Sequence, residues 1–192
     1  MQEKELITQY QKDSRFIDFF ESWSTENKGN IIPINGLSGS SIPLIAACTF
    51  VKSGKSWIII RREKEEAAYF FNDLEKLLGS QRVVFFPDSY KRPYSEQENL
   101  DNINIGLRTE VLERLSTPSK PCIIVTYPEA IAEKVISKKS LKSKKLKIKV
   151  NQLIDLNFFN ENLFDLGFER VDFVELPGQF SLRGGIVDVF SF

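Results

Sequence analysis

Histidine is absent from the 192-residue chain, and its absence removes several kinds of active site. Without an imidazole there is no histidine for general acid–base catalysis, for Ser-His or Cys-His nucleophile pairs, or for the usual zinc sites. The sequence therefore predicts no catalytic residue and no metal site in this chain.

Cysteine, net charge and long apolar runs are also scarce. Cys48 and Cys122 lie in apolar surroundings and predict buried structural thiols, with no disulfide framework. Basic and acidic residues both total 26, so the formal net charge is zero, which argues against general attraction to nucleic acids or membranes. No run approaches the length of a membrane span and no signal-peptide core is present. We expect a cytoplasmic protein with no membrane partner.

Apolar residues, in contrast, make up 42% of the chain. Their spacing along the sequence indicates strands that alternate with helices. After a helical lead-in at residues 6–23, short apolar runs predict strands at residues 31–34, 57–60, 83–86 and 122–126. Apolar residues spaced by three and four predict helices between these strands. The alternation predicts an α/β fold, with a mostly parallel sheet flanked by helices, of the degenerate phosphate-loop or helicase-like kind.

The sequence GLSGSSIP at residues 36–43 follows the first predicted strand, where a phosphate-binding loop would lie. Such a loop reads G-x-x-x-x-G-K-[ST], and it binds phosphate through backbone N–H groups and lysine, and magnesium through the hydroxyl. Gly36 matches the first glycine, and Gly39 and Ser40 keep a tight polar turn. The residues at the second glycine, the lysine and the hydroxyl positions are Ser41, Ile42 and Pro43. We predict an inactive loop without ATP or magnesium, in which Ser41 caps the next helix and Pro43 lies in its first turn.

Seven lysines and no acidic residue occur between residues 138 and 149. They are Lys138, Lys139, Lys142, Lys144, Lys145, Lys147 and Lys149. Leu146, Ile148 and Val150 alternate with the last of them, which favours an edge strand with one buried face and one lysine-covered face. Contact with DNA phosphates is the alternative. The change in composition predicts a boundary between an α/β domain at residues 1–137 and a small α+β domain at residues 138–192.

In this second domain, we expect a helix capped by Asp155 and ended by Gly167, followed by strands at residues 172–176, 180–183 and 186–190. The helix places Leu156, Phe159, Leu163 and Leu166 inward. Two glycines at residues 184–185 predict a tight turn or a bulge. Alternation along the middle strand predicts Phe180 and Leu182 on one face, with Ser181 and Arg183 on the other. Because Arg183 lies beside the glycine turn, we expect it to face solvent.

Two stretches of this second domain carry a family resemblance. They read LGFERVD at residues 166–172 and PGQFSLRGGIVDVF at residues 177–190. Both resemble the UvrB-homology module, and their sequences resemble those of the bacterial transcription-repair coupling factors (Mfd) more than that of UvrB. The loop at residues 36–43 agrees with the degenerate form expected of these factors. The resemblance implies a first UvrB-like domain followed by a truncated UvrA-binding domain.

The resemblance also implies a function. It implies a non-catalytic recruitment module that binds UvrA, at the amino-terminal end of a larger ATP-driven DNA translocase that removes stalled RNA polymerase. Contacts with RNA polymerase and DNA, together with ATP and magnesium, would belong to other domains, and the protein's own carboxy-terminal domain would mask the UvrA site. The alternative is a nucleotide- or DNA-binding domain of a UvrB- or helicase-type repair ATPase.

Three residues match the motif's partner-binding positions. Arg183 matches the arginine before the two glycines, Arg170 matches the arginine of the Gly-Phe-Glu-Arg segment, and Phe180 matches the aromatic residue. UvrB has a further arginine where this chain has Ser181. Arginine forks bind carboxylates in a two-pronged geometry, and arginines beside aromatic residues are typical of protein–protein hot spots. In the alternative interpretation, Phe180 is a core residue and Arg170 a surface charge.

Overall fold

The structure is a computed structural model, and it describes residues 3–25, 31–89, 98–116, 120–135, 137 and 146–191. The helices are α1 (Glu3–Tyr10), α2 (Ser14–Thr25), α3 (Ser41–Ser53), α4 (Lys64–Leu78), α5 (Glu98–Ser116), α6 (Pro128–Ala132) and α7 (Leu156–Asp165). The strands are β1 (Trp57–Ile60), β2 (Val83–Phe85), β3 (Ile123–Thr126), β4 (Glu169–Arg170), β5 (Gln179–Arg183) and β6 (Ile186–Phe190). None of the described helices is long and apolar enough to cross a membrane.

The chain divides into two compact units. Unit 1 comprises Met1–Phe85 and Ser119–Pro128, and unit 2 comprises Phe86–Pro118 and Glu129–Phe192. The predicted domain boundary after residue 137 adjoins residues outside the described part of the chain, so it stays a prediction.

Unit 1 contains a three-stranded sheet with the order β1-β3-β2, and both of its strand pairs are parallel. All four residues of β3 are buried, as an apolar run in the middle of a parallel sheet requires. Helix α4 packs on β2 and β3, while α1 and α3 pack on α4. The α/β fold predicted from the alternating strands and helices is confirmed.

Both cysteines are buried in unit 1, as predicted. Cys48, on α3, has no exposed surface, and burial raises the pKa of its thiol to about 11. A thiol with this pKa stays neutral near pH 7 and packs as a small apolar group.

The helical lead-in predicted at residues 6–23 is confirmed, and it consists of two helices, α1 and α2. Asp13 lies between them and accepts a hydrogen bond from the backbone N–H of Arg15 at 2.9 Å, which starts the second helix. The Arg15 guanidinium also donates to this carboxylate, and these bonds lower the pKa of Asp13 to about 2. A local cap therefore interrupts an otherwise helical pattern.

Two of the strand predictions are wrong. Residues 31–34 are irregular, with Ile31 95% exposed and Ile34 47% exposed. Pro33 has no N–H to donate to a neighbouring strand, so the apolar run lacks part of a strand's hydrogen bonding. Residues 146–150 are also irregular and exposed, so the predicted buried face of a lysine-covered strand does not form. The lysines at residues 138–145 lie outside the described residues.

Unit 2 contains a small mixed sheet with the order β4-β5-β6, in which β4 is parallel and β6 antiparallel to β5. Helix α7 contributes Phe159 and Leu163 to a core with Phe180 of β5. Asp155 caps this helix as predicted, since its side chain accepts hydrogen bonds from two backbone N–H groups of the first turn. The predicted small α+β arrangement is confirmed.

A buried arginine also organises unit 2, and sequence reasoning missed it. Arg108 of α5 is 5% exposed, and its Nη1 donates to the carbonyl oxygens of Pro87 at 2.6 Å and Ala130 at 3.1 Å. Its Nη1 also lies 3.4 Å from the Glu133 carboxylate. Because a buried charge needs such partners, these contacts hold α5 to the segment before it and to α6.

Candidate partner-binding site

The hairpin of β5 and β6 positions Arg183. Two glycines form its turn, and Gly184 has a φ of 62°, a left-handed conformation that glycine adopts without steric cost. The strand register places Arg183 opposite Ile186. It places Ser181 opposite Asp188. Directly opposed residues project from the same face of a sheet, so these four side chains share one face, called the hairpin face below.

Arg183 faces solvent on the hairpin face, as predicted, with 56% of its side chain exposed. Its Nη2 forms an ion pair with Oδ2 of Asp188, which lies diagonally across the two strands. Its Cζ lies 5.8 Å from the centre of the Phe173 ring. An exposed ion pair contributes only about 0–1 kcal/mol, so it orients the guanidinium without fixing it against other partners.

Phe180 lies on the opposite face of the hairpin and has no exposed surface. Its ring meets that of Phe164 edge to face, with 5.3 Å between the ring centres. The interpretation of Phe180 as a core residue, which the sequence left open, is therefore the one that the structure supports. The ring is not accessible for direct contact with a partner.

Ser181 lies on the same face of β5 as Arg183, as predicted, but it is buried there, with 2% of its surface exposed. Its hydroxyl donates to the carbonyl oxygen of Asp172 at 3.0 Å. The segment at residues 172–176 was predicted as a strand, but it is irregular. It begins shortly after β4, at the carbonyl group that accepts from this hydroxyl. The position at which UvrB has an arginine is thus closed to solvent in this chain.

Arg170 belongs to the short strand β4 and is exposed. Its neighbour across the sheet is Phe180, so its side chain leaves the sheet on the core side rather than on the hairpin face. Its guanidinium has no hydrogen-bond or ion-pair partner among the residues that the structure describes. The three predicted site residues therefore do not share one face of the sheet.

Sequence reasoning missed two residues that contact Arg183, namely Asp188 and Phe173. The sequence does contain a signal for Asp188, because a two-glycine turn pairs residue 183 with residue 186 and makes residue 188 its diagonal neighbour. No periodicity identifies Phe173, since its segment forms no strand.

In unit 1, Gly39 and Ser40 form the predicted tight turn, and both Gly36 and Gly39 have a positive φ, of 82° and 54°. The predicted N-cap is wrong by one position: Ser40 is the N-cap, and Ser41 is the first residue of α3. The Ser41 hydroxyl donates to the carbonyl oxygen of Ser38 at 2.7 Å and accepts from its N–H at 2.9 Å. This hydroxyl closes the loop on itself and does not cap the helix.

Ile42 and Pro43 lie in the first turn of α3, and Pro43 is buried as a proline in this position can be. The backbone N–H of Ser41 donates to the carbonyl oxygen of Ser38 at 3.2 Å, and that of Ile42 to Gly39 at 3.4 Å. In a phosphate-binding loop such N–H groups point at the ligand. Here they are used within the loop.

An apolar cavity of about 330 Å³ lies beside this loop in unit 1, and Leu37 and Ile42 line it. Its lining includes Arg61, whose Nη2 donates to Glu66 at 3.0 Å and whose Cζ lies 4.9 Å from the Phe70 ring. A hydrogen bond from the Arg62 backbone and the charges of both arginines lower the pKa of Glu66. The arginine at this cavity is therefore already paired with a carboxylate.

Comparison with known proteins identifies the family to which unit 2 is similar. Residues 146–192 match the model of the UvrB interaction domain. The transcription-repair-coupling factor of Bacillus subtilis (strain 168) is 28% identical over 156 residues, which cover 81% of this chain and 13% of that protein. The corresponding factor of Staphylococcus epidermidis (strain RP62A) is 28% identical over 191 residues, with 97% and 16% covered.

A second kind of relative is the UvrABC system protein B of Ureaplasma parvum serovar 3. It is 25% identical over 168 residues, which cover 81% of this chain and 25% of that protein. The chain therefore spans a quarter or less of the length of these relatives. The resemblance predicted from residues 166–190, to the UvrB-homology module of transcription-repair coupling factors, is confirmed.

Proposed function

From this similarity to transcription-repair-coupling factors and UvrB, we propose that the chain is a non-catalytic recruitment module that binds UvrA through unit 2. Binding would bring the nucleotide excision repair machinery to the sites at which such a factor acts. The single observation that carries the proposal is the exposed Arg183, held on the hairpin face inside the segment that matches the UvrB interaction domain.

The chemistry of Arg183 supports a protein partner with a carboxylate. Guanidinium groups bind carboxylates through paired hydrogen bonds, and arginine is enriched among the residues that dominate binding energy. Asp188 contacts the guanidinium through one nitrogen, so one side of the group is already oriented by a carboxylate. A partner carboxylate approaching from solvent would use the remaining N–H donors of the fork.

Arg170 and Phe180 have supporting roles in this proposal. Arg170 lies exposed on β4, at an edge of the described sheet, so a partner that extends around this edge would reach it in addition to the hairpin face. Phe180 packs beneath the hairpin and holds β5 in place. We therefore assign the direct ionic contact to Arg183 first, and a secondary one to Arg170.

We also propose that this part of the protein neither binds nor hydrolyses nucleotides. The backbone N–H groups of Ser41 and Ile42 donate within the loop, and Ile42 lines an apolar cavity where a phosphate loop has its lysine. We expect no binding of Mg-ATP in isothermal titration calorimetry, at chain concentrations that detect micromolar affinity. Saturable heat with Mg-ATP would favour the alternative, a nucleotide-binding domain of a repair ATPase.

The relatives are several times longer than this chain, and the proposal extends to the longer protein. We propose that ATP-driven translocation on DNA and contact with RNA polymerase belong to parts outside these 192 residues. The UvrA site would be masked there by the protein's own carboxy-terminal domain. The protein would act in the bacterial cytoplasm.

Charge reversal at Arg183 tests the proposed site. We expect Arg183→Glu to weaken binding to UvrA of the source organism at least about tenfold, or about 1.4 kcal/mol, because it replaces attraction with repulsion at a hot spot. Lys147→Glu is the matched control, since it reverses an exposed charge in the same unit outside the hairpin. Equal affinities of the wild-type chain and Arg183→Glu would remove Arg183 from the site.

A further inference from the structure

An exposed aromatic side chain stands beside Arg183, although sequence reasoning placed the aromatic residue of the site elsewhere. The buried Phe180 cannot supply it. Phe173 is 74% exposed, and Arg183 Cζ lies 5.8 Å from the centre of its ring. The hairpin face therefore has an aromatic neighbour that neither the motif nor the alternation along β5 indicates.

Hydrogen bonds hold the segment that carries Phe173 against β5. At its start, the Ser181 hydroxyl donates to the carbonyl oxygen of Asp172 at 3.0 Å. At its end, Gln179 Oε1 accepts from the backbone N–H groups of Glu175 at 3.0 Å and Leu176 at 2.9 Å. Because both ends are tied to the same strand, the ring of Phe173 is held near Arg183 although the segment forms no strand.

The surroundings of Phe173 form a small mixed surface, called the Arg183 patch, which consists of Phe173, Arg183, Ile186 and Asp188. Ile186 lies opposite Arg183 and is 64% exposed. Two apolar side chains thus flank a guanidinium that is oriented by a carboxylate. Full burial of a side chain such as phenylalanine is worth about 1.5–3 kcal/mol, far more than an exposed cation–π contact of about 0.5–1 kcal/mol.

We infer that Phe173 is the apolar anchor of the UvrA-binding surface, and that it takes the place at the interface that the buried Phe180 cannot take. The inference rests on the proposed function. The fitting partner surface has an apolar side chain beside a carboxylate, so that the first covers Phe173 and Ile186 while the second reaches Arg183. An aromatic ring beside an arginine at the centre of a contact is the usual composition of a hot spot.

Substitution of Phe173 tests the inference. Phe173→Ala should weaken binding of the chain to UvrA at least about tenfold, since the covered ring would be lost. Its urea midpoint should match that of the wild-type chain, because the ring is mostly exposed when the chain is unbound. Phe173→Leu keeps an apolar side chain and should recover part of the affinity.

Phe158→Ala is the matched control, because Phe158 is an exposed phenylalanine of the same unit, 65% exposed on α7. It should bind UvrA as the wild-type chain does. Wild-type affinity of Phe173→Ala, together with weakened binding of Arg183→Glu, would overturn the anchor role and leave the proposed function standing. Equal losses in Phe173→Ala and Phe158→Ala would also overturn it. Absence of binding by the wild-type chain would overturn the proposed function, and the inference with it.

Discussion

At the scale of single residues, three residues of β5 divide core packing from partner contact. Phe180 packs into the core, Ser181 bonds to the segment that covers it, and Arg183 remains exposed at the turn. The functional side chain thus stands at the end of a strand whose preceding residues are fixed by packing. A site on a rigid element holds its geometry better than one on a loop.

Truncation of Phe180 tests its role as a core residue. We expect Phe180→Ala to lower the free energy of unfolding of unit 2 by about 3–5 kcal/mol, because it leaves a cavity in a core with few buried residues. Urea denaturation combined with amide exchange of β5 and β6 measures this loss. Phe180→Leu, which keeps more of the side-chain volume, should lose less. An unchanged midpoint in Phe180→Ala would contradict a core role.

The burial of Ser181 illustrates what the alternating pattern could not predict. Alternation correctly placed Phe180 and Arg183 on opposite faces of β5, since side chains alternate between the faces of a strand. It did not indicate the burial of Ser181, which follows from an irregular segment, residues 172–176, that covers part of the outer face. For the same reason no pattern in the sequence indicated Phe173, whose position depends on side-chain hydrogen bonds with residues of β5.

At the scale of elements, prediction from the sequence was most accurate where the spacing of apolar residues and the capping residues indicate the same element. Strands β1 and β3 and helix α7 were predicted close to their observed bounds. The errors fall at residues 31–34, 146–150 and 172–176, which have no neighbouring strand among those that the structure describes. A strand requires a hydrogen-bonding partner as well as a suitable pattern, and the local sequence does not specify that partner.

The cap of α7 provides a test at this scale. Asp155 accepts hydrogen bonds from the backbone N–H groups of Asn157 at 2.9 Å and Phe158 at 3.4 Å. Asp155→Ala should destabilise the helix by about 1 kcal/mol, since these N–H groups lose their acceptor. Amide exchange in the first half of α7 should then be about fivefold faster. Asp155→Asn retains the capping oxygen and should behave almost as the wild type, whereas unchanged exchange in Asp155→Ala would argue against the cap.

At the scale of the whole molecule, the two units differ in what they retain for function. Unit 1 keeps a parallel sheet and a tight loop before α3, but the loop's N–H groups and the arginine of the adjacent cavity are engaged internally. Unit 2 presents the exposed Arg183 patch within the segment that matches the UvrB interaction domain. This contrast is the basis for proposing recruitment rather than nucleotide chemistry.

The fold class and the resemblance to the UvrB-homology module could be predicted from sequence, because both depend on local patterns and a continuous motif. The surface of the site could not, because it combines residues from β5, β6 and an irregular segment whose relative placement depends on tertiary hydrogen bonds. Arg183 was recognisable from its place before the two glycines, while its contacts with Asp188 and Phe173 required the structure.

The most direct test of the central claim is a calorimetric titration of the wild-type 192-residue chain with purified UvrA of the source organism, without added nucleotide or DNA. The recruitment proposal predicts saturable binding of micromolar or tighter affinity, corresponding to about −8 kcal/mol or more favourable. Absence of binding by a folded chain at concentrations well above this range would contradict it.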